Sequence, residues 1–330
     1  MMKTFKVECK VITPLFIGGA NQQAELRTQS INGLLRWWFR IAGGSIEDEK
    51  RLFGWAGETS NQGLVRIFIE EAHFTTRRFS SGPPGYNYLG FSLKLTNREE
   101  VVLQNKTFDL KISFHPKANE EDIKKFFCAL WLAFNLGNFG SRSRRGFGSI
   151  GIKEIKIKKI KENGKEEYED ITDNCYGLNF APSGNLGTWI NKNLNEIKKV
   201  LNHPRKDIPN LFDNFEIYIF GSNNDWQNLL NQAGQKYQSF RKQKPIDKRI
   251  VFGLPIVAVG KYKNFRRASP LMFKILEVDK NKYFLILIVM KPNEKRKFIF
   301  HPQEQDHPMK NNLNWNLLSD FVKNKTKIFP

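Results

Sequence analysis

The chain opens on strict alternation: Phe5, Val7, Cys9 and Val11 stand between Lys6, Glu8 and Lys10, the period of a half-buried β-strand. Pro14 and the Gly18-Gly19 pair end that strand and open a polar loop. The period then changes. Ser30 is placed to cap a helix over 31–42, with Leu34, Trp37, Trp38 and Ile41 as its buried stripe. The three successive aromatics Trp37, Trp38 and Phe39 cannot all point inward when each residue turns by about 100°. Phe39 is the one expected outside, available to a base or a partner subunit. Arg36 and Arg40, four apart, project together from another face.

Strands are expected over 64–70, 89–95 and 108–114, with a basic, Gly/Pro-rich loop at 75–86. A second amphipathic helix over 120–136 turns Ile123, Phe126, Phe127, Leu130, Trp131 and Phe134 inward, and a strand follows at 150–157. Allowing for one extra strand, the order is β-α-β-β-α-β, the ferredoxin-like arrangement that RNA-recognition modules also use. The charged, Gly-interrupted stretch at 158–173 marks a boundary between domains 1–158 and 159–330. Beyond it, helices are expected over 186–201 and 225–242 and strands over 215–220, 271–278 and 283–290, the last two forming a hairpin. The fold class is α+β, a tandem of ferredoxin-like domains, although the strand order of the second is not legible.

Charge changes the picture. There are 53 Lys+Arg against 33 Asp+Glu, a net +20, and the surplus is shared between residues 1–150 (+7) and 151–330 (+13). A basic field spread over both halves favours a polyanion held on folded surface rather than on a disordered tail. Cys9, Cys128 and Cys175 are few and far apart, which implies a reducing compartment and excludes an obvious zinc site. No apolar run reaches membrane-spanning length, and Phe284 to Met290 has the length of a buried strand. An intracellular, cytoplasmic protein without metal or cofactor is expected.

The segment Gly137 to Gly151 interleaves glycines with Arg142, Arg144 and Arg145. Such glycines, Gly140 among them, let a phosphate approach the backbone amides, and Phe147 offers a stacking face. The loop leaves a helix and enters a strand, the reverse of a dinucleotide fingerprint, and it lacks the end of a P-loop. Catalysis finds little support. His115, His203, His301 and His307 each precede a proline, and His73 follows a strand, so no histidine has a positioned partner. Glu47-Asp48-Glu49 and Glu120-Glu121-Asp122 read as solvated or helix-capping acids rather than metal ligands.

This loop, the Ser30 to Arg36 run S-I-N-G-L-L-R and the Leu52 to Gly54 run LFG resemble the RAMP superfamily, the RNA-binding proteins of CRISPR systems. The Trp37 to Arg40 run W-W-F-R, FGLPI at Phe252 to Ile256 and RRASPL at Arg266 to Leu271 resemble one subunit family within it, of the type III-B effector (the Cmr complex). The resemblance implies tandem ferredoxin-like domains and guide RNA (crRNA) held near its 3′ end. It also implies docking onto other Cmr or RAMP subunits, possible contact with target RNA, and no cofactor. Its RNA-binding positions would be Gly18, Gly19, Arg36, Arg40, Gly140, Arg142, Arg144, Arg145, Phe147, Arg266 and Arg267. Two rivals stand beside this reading: a metal-independent endoribonuclease trimming guide RNA, and a ferredoxin-like RNA-binding protein of translation or ribosome assembly.

Overall fold

The computed structural model describes residues 2–19, 23–57, 60–70, 72–96, 98–182, 184–206, 208–253, 268–291 and 313–330. The first half runs β1 (Thr4–Val11), α1 (Thr28–Ile41), α2 (Ile46–Phe53), β2 (Val65–Ile69), β3 (Phe74–Arg78), α3 (Pro84–Leu89), α4 (Phe91–Leu95), β4 (Glu99–Leu103), β5 (Thr107–Phe114), α5 (Glu120–Asn135), β6 (Ile150–Ile160) and β7 (Glu166–Asp170). The second runs α6 (Leu186–Val200), α7 (Leu211–Asn214), β8 (Phe215–Asn223), α8 (Trp226–Lys242), β9 (Leu271–Asp279), β10 (Lys282–Met290), α9 (Asn316–Val322) and β11 (Thr326–Phe329).

Two antiparallel sheets organise these elements. The first has the order β2-β5-β1-β6-β7 and the second β11-β8-β10-β9, while β3 and β4 form a separate ribbon. Taken in chain order, β1-α1-β2-β5-α5-β6 and β8-α8-β9-β10-α9-β11 are the same series, and each places its last strand beside its first and its third beside its second. The order that was illegible in the second half is therefore that of the first.

Alternation on the strands decides where the cores lie. Phe5, Val7 and Cys9 of β1 are fully buried under α1 and α5, with Trp38, Phe126 and Trp131. β10 is apolar on both faces for a reason: Ile286, Ile288 and Met290 belong to that same core, while Leu285, Leu287 and Val289 belong to a second core with Leu229, Leu230 and Tyr237 of α8. One side of the second sheet thus packs on the first half of the chain. The halves share a core and are not joined by a linker.

Three expectations change here. The charged stretch at 158–173 is not a boundary, because β6 runs through it to Ile160 and pairs with β7. Its alternating charges are cross-strand partners, Lys158–Glu166, Lys159–Glu169 and Lys161–Glu167, on an exposed hairpin. The strand read over 89–95 is two short helices, since Pro84 starts a helix and the alternating Phe91 and Leu95 lie exposed, outside any core. Finally, α1 begins at Thr28, with Arg27 in the N-cap position and no side-chain cap, so Ser30 lies within it.

The glycine-rich segment lies between α5 and β6, and its glycines admit neighbouring chain. Gly148 has φ +72°, and a β-carbon there would stand 1.9 Å from the Phe139 carbonyl oxygen. Gly140, at φ +79°, would meet the Phe16 carbonyl oxygen at 2.4 Å. Both faults are backbone against backbone and cannot be relieved by a rotamer change. Gly148→Ala is expected to cost more than about 3 kcal/mol, beyond the usual range for a point substitution. Gly151→Ala, whose nearest contact is the Ile12 Cδ1 methyl at 3.3 Å, is expected to stay within about 1 kcal/mol of the parent. Urea denaturation of both variants measures the difference.

Candidate nucleic-acid interface

The arginines of the glycine-rich segment point into the protein. Arg145 is 9% exposed. Its Nη1 donates to Ser269 Oγ (3.0 Å) and the Leu271 carbonyl (3.2 Å), and its Nη2 to Tyr237 Oη (3.1 Å) and the Phe252 carbonyl (3.2 Å). Arg142 Nε donates to the Leu89 carbonyl at 2.8 Å, and Arg144 Nη1 donates to the Ser269 carbonyl. Burial, and then the charge of Arg145, pull Arg142 and Arg144 down to about 10, so both still carry their charge at neutral pH. The amides are committed as well. Phe139 N donates to Gly148 O (2.9 Å), Ser141 N to Phe16 O (2.7 Å) and Gly148 N to Pro14 O (2.9 Å). Phe147 is completely buried against Phe16, Phe79 and Tyr86 and has no face to offer a base. The phosphate cradle expected of this segment is a structural joint: glycine admits a carbonyl as readily as a phosphate, and here carbonyls occupy the space.

The accessible surface lies on α1. The register differs by one aromatic from the expected stripe: Ile31, Leu35, Trp38, Phe39 and Ile41 are buried, and Leu34 and Trp37 are only partly covered. Phe39 is 0% exposed and packs on Phe53, so it meets no external partner. Trp37 takes its place at the surface, with the Arg144 guanidinium 5.6 Å from its ring. At about 100° per residue, Gln29, Gly33, Arg36 and Arg40 fall within roughly 60° of one another. They form one stripe facing away from the core. Gly33 is exposed at its centre, and a β-carbon there would meet nothing within 4 Å among the described residues.

At the far end of the stripe Arg36 and Arg40 converge on Glu49 of α2. Arg36 Nε lies 2.9 Å from Oε1, and Arg40 donates through Nε to Oε2 (2.7 Å) and through Nη2 to Oε1 (2.6 Å). Arg205 Nη1 approaches Oε2 at 4.0 Å. Glu49 is 4% exposed, so it is neither solvated nor a helix cap, as its acidic run suggested. One carboxylate among three guanidiniums leaves the cluster net positive. The shared groove expected of Arg36, Arg40, Arg144 and Arg145 does not form: the first two meet at Glu49, Arg144 lies against Trp37, and Arg145 is enclosed.

Gly18 bridges to Ala24, and Gly19 N donates to Gln23 O at 3.0 Å, so this pair opens a hairpin leading into α1. Arg266 and Arg267 lie outside the described residues, as do His301 and His307. His73, His115 and His203 are exposed. Among the described residues no cluster of His, Cys, Asp and Glu could hold a metal, and no helix is long and apolar enough to cross a membrane. Sequence reasoning missed three residues: Glu49, Gly33 and the fully buried Lys274. Glu49 had no local signal, since nine and thirteen residues separate it from Arg40 and Arg36. Lys274, within an apolar strand, had none.

A model of the RAMP superfamily matches residues 8–151, and one described as Cmr1-like, C-terminal, matches residues 212–328. The first half of the chain thus resembles the RAMP superfamily, and the second half the Cmr1-like C-terminal family. It is similar to CRISPR system Cmr subunit Cmr1-1 of Pyrococcus furiosus, with 26% identity over 346 residues, 97% of this chain and 94% of that one. Cmr subunit Cmr1-2 of the same organism is 29% identical over 180 residues, 45% of this chain and 95% of the relative. The apo crystal structure of Cmr1 from Pyrococcus furiosus has the same fold, with a TM-score of 0.63 at 22% identity over 99% of this chain and 98% of that one. So does a chain in a cryo-EM structure of type III-B Cmr-beta bound to cognate target RNA, with a TM-score of 0.58 at 14% identity over 98% of both.

The arginine cluster has a pH signature. Burial would raise the Glu49 carboxyl, but the hydrogen bonds and charges of Arg40 and Arg36 outweigh it and hold Glu49 below the usual range. A depressed folded-state value stabilises the fold above the unfolded carboxyl value, about 4.3, and that contribution disappears as pH falls through the folded value. Glu49→Gln is therefore expected to cost about 1–3 kcal/mol near neutrality, the penalty for leaving charged groups without their partner. The gap to the parent should begin to narrow below about pH 4.3, where the unfolded parent takes up the proton, and close once pH passes the lower folded value. Urea melts across that range test both size and sign; a gap that widens in acid would contradict the assignment.

Proposed function

We propose that this chain is a non-catalytic guide-RNA-binding subunit of a type III-B CRISPR effector, holding the 3′ region of the guide along α1 while neighbouring Cmr subunits complete the path and the assembly captures target RNA in antiviral defence in the cytoplasm. The similarity to chains named Cmr1 supports the assembly, and the net charge of +20 supports a polyanionic partner. The two sheets of like order support the reading as tandem ferredoxin-like units.

Gly33 carries the reading of where RNA lies. Glycine inside a helix costs about 1 kcal/mol relative to alanine. Nothing among the described residues needs that position bare, since no neighbour lies within 4 Å of where a side chain would begin. The bare position makes sense if something outside the chain comes close to the helix backbone. Flanked by Gln29, Arg36 and Arg40, it suits a ribose-phosphate chain, because a guanidinium fork pairs well with phosphate. The stripe makes no demand on bond-breaking groups, and the reading includes no cleavage step.

Gly33→Ala is expected to raise the melting temperature or leave it unchanged, because the helix gains propensity. Gly33→Phe should also fold, yet lower guide-RNA affinity at least tenfold by standing in the path. Arg36→Lys together with Arg40→Lys should weaken binding at constant charge. Filter binding to labelled guide RNA over a salt series checks both, with a slope that falls by about 0.7 for each phosphate the protein no longer neutralises. Wild-type affinity in Gly33→Phe would move the RNA off α1. The same labelled guide incubated with the chain in EDTA should stay intact; a discrete product would favour the endoribonuclease.

A further inference from the structure

A cavity of about 100 Å³ opens at the beginning of α1, just before the stripe. Thr28, Gln29 and Asn32 line one side, and Phe53, Val65 and Ile67 the other. The apolar wall has a simple origin. β2 is an edge strand of its sheet, and Val65 and Ile67 alternate with the exposed Arg66 and Phe68, so their side chains face the layer that α1 covers. They remain only half-buried at the N-terminal end of α1, and Phe53 at the end of α2 closes the floor at 9% exposure. The polar wall is a helix face. Gln29 and Asn32 are three residues apart, and Thr28 and Asn32 four apart, so all three lie over one opening. The lining holds two carboxamides and a hydroxyl but no charged group.

We infer that this cavity seats one unstacked base of the bound RNA. The inference rests on the reading of α1 as the RNA path. A nucleobase presents an apolar face and a neutral edge of donors and acceptors, which is what the two walls complement. A phosphate or carboxylate would find no cation in the lining. A lipid chain would leave both carboxamides without partners. The place is consistent with a strand already held alongside: Arg36 follows Gln29 by seven residues, about 10 Å along the axis, so phosphates at the arginine pair and a base in the cavity can belong to the same short run. Carboxamides bond adenine through two of its edge atoms, which makes adenine the base expected to bind best.

The test is an abasic scan. Guide RNAs carrying a single abasic site at successive positions near the 3′ end are bound to the wild-type chain, to Asn32→Leu and to Gln29→Leu, with a thermal melt of each variant. Gln29 is exposed and Asn32 half-exposed on the helix, so both variants should melt like the parent. At one position, removal of the base is expected to weaken wild-type binding about tenfold. At that position the variants should weaken little further, because the carboxamide that would hold the base is already absent from them. Effects that multiply at every position, or no sensitive position at all, would overturn the base site. The reading of α1 as the RNA path would survive that result as long as Gly33→Phe still blocks the intact guide. If the wild-type chain and the assembled complex fail to hold guide RNA at all, both fall together.

Discussion

The open edge of β9 is the constraint on which the rest of the molecule depends. β9 ends its sheet and pairs with β10 alone among the described strands, so on its other side alternate backbone groups face away from the ladder. Side chains of the glycine-rich segment cover that edge, at successive alternate residues. Arg145 donates to Leu271 O (3.2 Å), Asn138 Nδ2 to Phe273 O (2.7 Å), and Ser149 Oγ accepts from Ile275 N (3.2 Å). Between these residues Lys274 turns the other way, and its buried Nζ donates to Gly137 O (2.8 Å) and Ile150 O (3.2 Å), the two ends of the same segment. Burial lowers Lys274 well below the ordinary lysine value, and two carbonyl oxygens are its partners. The segment acts as a substitute strand built from side chains. That role explains why it needs left-handed glycines at Gly140 and Gly148: the chain must fold tightly enough to aim Asn138, Arg145 and Ser149 at one edge.

Recognition is shaped by the same joint. Groups that look most like a nucleic-acid loop in the sequence are used to hold the two halves in one orientation, so they cannot serve as a flexible clamp. What the joint supplies is rigidity. α1 packs on α5, from whose end the segment leaves, and Arg144 reaches from the segment to Trp37 on α1. A surface held this way loses little freedom when a ligand arrives, so more of each contact appears as affinity. Glu49 does the same for Arg36 and Arg40. It fixes two long side chains side by side that would otherwise sample many rotamers, and it leaves the pair net positive.

Period was enough to locate most elements, because burial on one face writes itself into the sequence as spacing: β1, β5, α5, β8, α8 and the β9–β10 hairpin all fall where the apolar residues recur. The failures have separate causes. Between Leu89 and Leu95 the alternation of Phe91, Leu93 and Leu95 imitates a strand, but a prolyl start and short length make helices, and only Leu93 is buried. On α1 two neighbouring aromatic registers fit the pattern almost equally, and only the position of Phe53 selects Phe39 over Trp37 for the interior. The glycine-rich segment was located correctly and its partner misjudged, since the sequence does not say whether a phosphate or a carbonyl fills the space beside a glycine. Of the candidate site, Arg36 and Arg40 were legible as a pair on one face, while Glu49 between them requires a contact across thirteen residues that no local pattern records.

The joint also accounts for how a protein with a net charge of +20 keeps its field while burying arginines. Arg142, Arg144 and Arg145 are satisfied in the described structure by carbonyls, hydroxyls and aromatic faces. No acidic residue occurs in the sequence between Asp247 and Glu277, and Phe252, Ser269 and Leu271 from that stretch supply acceptors to Arg144 and Arg145. Dipoles lower the cost of burying a charge without cancelling it, whereas a carboxylate would do both. The guanidinium charges therefore remain part of the field around α1, where the low dielectric beneath the surface weakens their screening by salt. On the proposed path along α1, a stripe with few cations of its own would attract a polyanion strongly, with Arg36 and Arg40 as the near contacts and the buried guanidiniums behind them adding long-range attraction.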